Sequence, residues 1–290
     1  MKPLDILLAL SVPLIWGLGF TLAKVAFVYV SFPPILLMAF RFSLTALVLV
    51  WFVKPPWGLM AKIFWISVVS ATIQYSLLFT GVNGLDASLA VIILQLEAPF
   101  LAILAAIILK DHLGLGRTIG MVLAFAGVIL IAGQPRLQGD LLPVLLVVSG
   151  AFMWAGGQIM IKGLGGKVGG FTLIAWVAVF AAPQLFLSSW LFEDGQWEAI
   201  QNAGWIGWGV VIYLALIMTA LGYAIWYRLL GIYKVTQVMP FLMLLPVMSI
   251  AGSMLFLGER LSIIEVAGSA VVIFGVWIIT TYKSRPAVEE

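Results

Sequence analysis

Apolar residues come in ten long runs, and polar residues fill the gaps between them. The runs cover roughly 4–29, 33–53, 61–82, 86–109, 116–133, 141–162, 170–192, 205–230, 235–257 and 262–282. Each is about 18–26 residues long, which suits a helix crossing a hydrocarbon core of ~30 Å and not the ~10-residue strands of a barrel. The gaps hold turn and charge chemistry, as in Ser31-Phe32-Pro33-Pro34, Lys54-Pro55-Pro56, Asn83-Gly84, Lys110-Asp111-His112, Gly165-Gly166 and Glu193-Asp194-Gly195. The pattern predicts an all-α membrane protein with ten transmembrane helices. The first run, which continues past Phe20 without a small-x-small cleavage pattern, reads as a spanning helix and not a signal peptide.

Composition agrees with the pattern. Of 290 residues, 63% are hydrophobic and 9% charged, and mean hydropathy is +1.18. A soluble domain carries about 25% charge, so this chain must face lipid, where the backbone has to satisfy its own hydrogen bonds. The net charge of +3 is scattered over short loops and forms no basic run, which argues against nucleic acid as a partner. Cysteine is absent, and the single histidine, His112, has no second ligand at metal spacing. No metal, cofactor or catalytic residue is predicted.

The basic residues orient the chain. With the N-terminus inside, Lys2, Lys54, Lys62, Lys110, Arg117, Lys162, Lys167, Arg228, Lys234, Lys283 and Arg285 fall on the cytoplasmic side, against Arg136 and Arg260 outside. Both termini are then cytoplasmic, and the acidic stretch Glu193, Asp194, Glu198 lies outside.

The two halves repeat. Pro13-Leu14-Ile15-Trp16-Gly17-Leu18-Gly19 matches Ala151-Phe152-Met153-Trp154-Ala155-Gly156-Gly157 at an offset of 138. At an offset of 148, Tyr75 meets Tyr223, Phe79 meets Tyr227, Ser88 meets Thr236, Gly120 meets Gly268 and Gly127 meets Gly275. Five helices per copy is an odd number, so the copies enter the membrane from opposite sides. The expected organisation is two inverted five-helix repeats, 1–133 and 141–282, followed by a cytoplasmic tail, 283–290. Inverted repeats permit alternating access around a midplane site.

Several short stretches occur in a telling order: Val12-Pro13-Leu14-Ile15-Trp16-Gly17-Leu18-Gly19-Phe20, Phe32-Pro33-Pro34 with Arg41-Phe42, and Ala87-Ser88-Leu89-Ala90 leading to Leu94-Gln95. They are followed by Leu221-Gly222-Tyr223-Ala224-Ile225-Trp226, Leu245-Pro246-Val247 and Leu257-Gly258-Glu259-Arg260-Leu261. In these the chain resembles the EamA branch of the drug/metabolite transporter superfamily over nearly its whole length. Within it the chain is most similar to bacterial exporters of cysteine-pathway metabolites such as O-acetylserine. The resemblance implies a secondary-active exporter of small polar metabolites, amino acids or their derivatives, in a bacterial-type inner membrane, with a multidrug or toxic-compound exporter as the alternative. Where relatives often read Leu-Gln-x-Gln, this chain has Leu94-Gln95-Leu96-Glu97, a carboxylate in place of an amide. An integral-membrane enzyme lacks support, because no ATP motif, histidine cluster or serine-histidine-aspartate set is present. A channel would need a continuous polar file or charge ring.

Polar groups at membrane depth are the candidates for substrate contact, since burying an ionisable group there costs at least ~2.5 kcal/mol. Glu97 sits about 16 Å along its helix from Asp86. It is a candidate for binding a substrate amine or for carrying a proton, protons being the candidate coupling ion; the alternative is a structural pair with Arg41 or Lys24. Arg41 could hold a substrate carboxylate or support helix packing, and Lys24 could meet substrate or snorkel outward. Gln95, Trp16, Trp154, Gln158, Gln74, Tyr75, Tyr223 and Tyr227 complete the candidate lining. Pro99 deprives the Gln95 carbonyl of its usual helical partner, and Pro246 lies at nearly the matching place in the second half, so both are candidate hinges. Trp51, Trp57, Trp190, Trp205, Trp208 and Trp277 read as interfacial belt residues.

The charge distribution predicts that a reporter fused after Glu290 is active only in the cytoplasm. A cysteine placed at Gly195 of this otherwise cysteine-free chain should be labelled by an impermeant reagent from outside. A periplasmic C-terminus would overturn the topology and the inverted repeat together.

Overall fold

A computed structural model describes residues 2–110, 114–133, 141–233, 238, 241–242 and 244–281, with the side chains of Tyr227 and Leu230 outside that description. The sequence expectations for His112, Arg136, Thr236 and the tail 283–290 therefore lie outside the described residues. The spanning helices are α1 (Pro3–Val30), α2 (Pro34–Phe52), α3 (Met60–Gly84), α4 (Ala87–Ile108), α5 (Gly114–Ala132), α6 (Leu142–Lys162), α7 (Gly170–Phe192), α8 (Gly204–Trp226, its helix continuing to Ile232), α9 (Leu245–Phe256) and α10 (Ile263–Thr281). Among the described residues α9 alone is shorter than a full span, and no strand occurs. The fold is the ten-helix, two-repeat architecture that the apolar pattern predicts.

The helices begin and end where local chemistry dictates. Proline opens α1, α2, α6 and α9, because a missing N–H costs nothing in a first helical turn. Ser31, in the left-handed region at φ 53°, closes α1 and turns the chain into α2. Trp51, Trp57, Trp190, Trp205 and Trp277 are exposed near span ends, as belt residues should be, and Trp197 joins them. Trp208 does not: it packs edge-on against Phe32 and Phe40 at 6.3 and 5.0 Å. Residue spacing cannot show that a tryptophan near a helix end faces a neighbouring helix instead of lipid.

The halves interlock. The most extensive pairings join helices of different halves: α5 with α10, α2 with α7, α3 with α6 and α1 with α9. The exchange of α1 for α6, α2 for α7 and so on maps this set onto itself, because α1 also packs on α8 and α4 on α6. The contact of α5 with α10 shows the symmetry at atomic scale. Gly120 and Gly268 are repeat equivalents, as are Gly127 and Gly275. A Cβ on Gly120 would lie 2.6 Å from the Gly275 carbonyl oxygen, and one on Gly127 would lie 2.7 Å from that of Gly268. Residue and partner thus trade places across the contact, which is the signature of a twofold relation. Small residues allow this backbone approach in the membrane, where packing replaces the hydrophobic driving force.

The third helix of each half is not a uniform α-helix. α3 is π-helical over Val68–Ile73, and α8 over Tyr213–Leu221. At the repeat offset of 148 the first stretch falls inside the second. Apolar periodicity carries no sign of either stretch.

Gly127→Val should destabilise the protein by about 1–3 kcal/mol, because the new side chain has backbone and not a yielding side-chain tip in its way. Gly209→Val, where nothing lies within 4 Å, is the control. Thermal unfolding in detergent should show a large loss for the first variant and little for the second.

Candidate functional site

The fourth span is broken near the middle of its length. α4 runs regularly from Ala87 to Leu94, turns at Gln95 and Leu96, and restarts at Glu97. In the turn Gln95 N–H donates to Ile92 O at 3.1 Å, and Leu96 N–H to Ile93 O at 3.0 Å. Pro99 cannot donate to the Gln95 carbonyl, and that carbonyl accepts the Ala98 N–H at 3.2 Å instead, so it is not left open. α9 restarts at the corresponding place, with Leu244 N–H on Phe241 O at 3.1 Å and Pro246 in the first turn. Gly17 of α1 lies against this restart: a Cβ there would sit 2.9 Å from the Leu245 carbonyl oxygen.

Glu97 occupies the first turn of the second half-helix, where the helix dipole favours a negative charge. Both Glu97 and Gln95 are half-buried. Among the described residues no ion pair joins Glu97 to Arg41 or Lys24, so the structural pairing considered for it is not formed.

Arg41 is only 2% exposed. Its Nε–H donates to Thr219 Oγ1 at 3.1 Å, and Thr219 in turn donates to the Leu214 carbonyl at 2.7 Å within the π-helical stretch of α8. The guanidinium lies 5.0 Å from the Tyr75 ring centre and 5.5 Å from that of Phe42. Aromatic faces and a hydroxyl meet this cation, and no carboxylate among the described residues does. The same π-helical stretch receives two further side chains and sends one of its own, Tyr213, back to α1. Trp16 Nε1–H donates to Met218 O at 3.0 Å, Thr45 Oγ1 to Ala215 O at 3.4 Å, and the Tyr213 hydroxyl to Ile15 O at 3.0 Å.

The candidate aromatics therefore separate into two groups. Trp16 packs on Tyr223 at 5.0 Å and on Trp226 at 6.0 Å. Tyr75 packs on Phe42 at 5.0 Å and stacks on Phe79 at 5.7 Å, beneath Arg41. Gln74, beside Tyr75, is buried and its Oε1 has no hydrogen-bond partner. Trp154 and Gln158 are half-buried on α6. The side chain of Tyr227 lies outside the described residues. Lys24 stands apart: its Nζ donates to the carbonyls of Val82 and Asn83 at 3.1 and 2.5 Å, holding the C-terminal end of α3.

Charged groups that residue spacing did not single out tie the ends of the helices. Glu259 accepts from Ala87 N–H at 2.7 Å, Ser88 N–H at 3.1 Å and the Ser88 hydroxyl at 2.6 Å, so it caps α4 from the other half. Glu193 caps α2 in the same way, accepting from Ile35 N–H at 2.7 Å and Leu36 N–H at 3.0 Å. At the opposite ends, buried Asp5 of α1 accepts the Tyr233 hydroxyl at 2.7 Å and lies 3.7 Å from Arg228. These partners are more than a hundred residues apart in the chain, so no local capping motif announces them.

Known proteins supply the remaining observation. The model of the EamA-like transporter family matches residues 4–133 and again 141–281. The chain belongs to that family. It is 31% identical over 288 residues to a probable amino-acid metabolite efflux pump of Salmonella typhimurium, covering 96% of this chain and 95% of the relative. The like-named protein of Escherichia coli matches at the same identity and coverage. An uncharacterised transporter of Archaeoglobus fulgidus is 26% identical over 280 residues, with 94% and 97% covered. A solved structure aligns over 97% of each chain with a TM-score of 0.62 and 16% identity, which speaks for the fold alone. EamA membership makes the chain a multi-pass membrane transporter with a small-molecule substrate.

Burial pushes the Glu193 carboxyl up from its ordinary value of 4.5, against the hydrogen bonds from Ile35 and Leu36 that pull it down. A carboxyl whose native pKa is raised binds its proton more tightly when folded. Its contribution is full below 4.5 and is lost as pH rises through the shifted value. Glu193→Gln should remove this part of the pH dependence of thermal stability. Glu193→Ala should cost about 1–2 kcal/mol below pH 4.5, because it leaves two helix N–H groups without a cap, and less as pH rises through the shifted value.

Proposed function

We propose that the protein is a secondary-active exporter of small polar metabolites, amino acids or their derivatives, that works by alternating access around a midplane site between its halves. The halves are 1–133 and 141–282, the tail is 283–290, and both termini lie in the cytoplasm of a bacterial-type inner membrane. The observation that carries this reading is the broken fourth span. It places Glu97 midway along the span, in the first turn of a half-helix, without an ion pair to Arg41 or Lys24. A carboxylate so placed suits a substrate ammonium group or a coupling proton. Arg41, buried without a carboxylate, suits the carboxylate end of an amino acid. The names of the two relatives at 31% identity point to the same substrate class.

Purified protein in liposomes should show saturable counterflow of labelled amino acids or O-acetylserine. Turnover without a gradient would indicate an enzyme, and ohmic current a channel. Glu97→Gln should fold normally and change the pH dependence or substrate preference of transport, and Glu97→Leu should lose amine-bearing substrates without loss of expression. If Glu97→Gln keeps the wild-type rate, pH profile and selectivity, the carboxylate has no part in transport.

A further inference from the structure

The two π-helical stretches are each held by a polar side chain from the second helix of the opposite half. Arg41 of α2 reaches Thr219 in the α8 stretch. Gln184 of α7, which follows Pro183, reaches the α3 stretch: Thr72 Oγ1 donates to Gln184 Oε1 at 2.5 Å, and Gln184 Nε2 donates to Ser67 Oγ at 3.1 Å. In the inverted repeat α2 corresponds to α7 and α3 to α8, so the two contacts are counterparts. Arg41 also lies over Tyr75, two residues past the end of the α3 stretch, and so touches both third helices at once.

A π turn holds about one residue more than an α turn. Moving that extra residue along the helix turns the residues it passes by about 100°. The segment that follows the α3 stretch begins Gln74-Tyr75, with the unpartnered Gln74 oxygen. The segment that follows the α8 stretch begins Gly222-Tyr223, against Trp16. A side chain that bonds to a hydroxyl inside the stretch holds the extra residue in one place.

We infer that Gln184 and Arg41 are reciprocal positioning residues: each pins the π-helical stretch of the opposite half and so sets the rotation of the segment that carries Gln74 and Tyr75, or Tyr223. Transport requires both pins to release and re-form, so that the two segments turn in concert. The inference rests on the transporter reading for its role in turnover, but the pinning itself can be tested without any substrate.

Single cysteines replace Ser76 and Leu77 in turn, and their labelling by a water-soluble thiol reagent is followed in liposomes. Three changes are then compared: Thr72→Val, which removes the hydroxyl but keeps the shape; Thr72→Ser, which keeps the hydroxyl; and deletion of Val69, which takes one residue from the stretch and favours plain α-helix. Thr72→Val and Gln184→Leu should redistribute labelling between the two positions. They should also lower the maximal rate of counterflow of radiolabelled O-acetylserine by roughly tenfold, with KM little changed. Thr72→Ser should restore both. The Val69 deletion should unfold at or above the wild-type temperature yet fix labelling at one position and abolish turnover.

The inference is overturned if Thr72→Val and Gln184→Leu leave the labelling pattern as in wild type, or if the Val69 deletion transports normally. It is also overturned if the losses in Thr72→Val simply track a fall in thermal stability that Thr72→Ser shares. If the wild-type protein carries no O-acetylserine, the substrate reading fails on that count, and the labelling arms still decide the pinning.

Discussion

A backbone inside a bilayer has no water to turn to, so every carbonyl must find its partner in the protein. Nearly all of this chain meets the demand within single helices. The π-helical stretch of α8 draws on other side chains as well, because its wider turns depart from the regular ladder. In α8 the Leu214 carbonyl is taken by the Thr219 hydroxyl, that of Ala215 by Thr45, and that of Met218 by the Trp16 indole. Two of these three donors come from the other half of the protein. The irregularity thus does two things: it interrupts a helix at depth, and it obliges the halves to meet there.

Arg41 belongs to the same network at a higher stake. A guanidinium at 2% exposure is tolerable because Thr219, Tyr75 and Phe42 surround it, each from a different part of the bundle. The cation holds α2, α3 and α8 together and leaves its charge unneutralised by any described carboxylate. Glu97, at the break in α4, is the complementary case of a carboxylate with no cation paired to it.

Elsewhere, too, the packing joins the two halves. The glycine contacts of α5 and α10 bring two backbones together across the pseudo-twofold relation, with Ile131, Val272 and Ile279 packed against the glycines. The ends of the helices are bound differently. Carboxylates of the second half, Glu193 and Glu259, sit on the N-termini of α2 and α4, while Asp5 of α1 draws in Tyr233 and Arg228 of the α8 end. Such capping bonds are charge-assisted yet few.

The sequence by itself determined the solvent, the element type, the number of spans and the duplication. All of these follow from where apolar residues and glycines fall, and a bilayer enforces that pattern strictly. It also located Glu97 and Arg41 at depth, because rise per residue fixes depth. Facing and partnership were decided only by the tertiary structure. Lys24 holds the end of α3, Trp208 packs inward, and Gln184, Thr219, Glu193 and Glu259 emerged only once the halves were brought together. The physical reason is range. Periodicity and capping motifs act over a few residues, whereas each of these contacts joins a side chain to a helix far away in the chain, and the π-helical turns on which several of them close leave no mark in hydropathy.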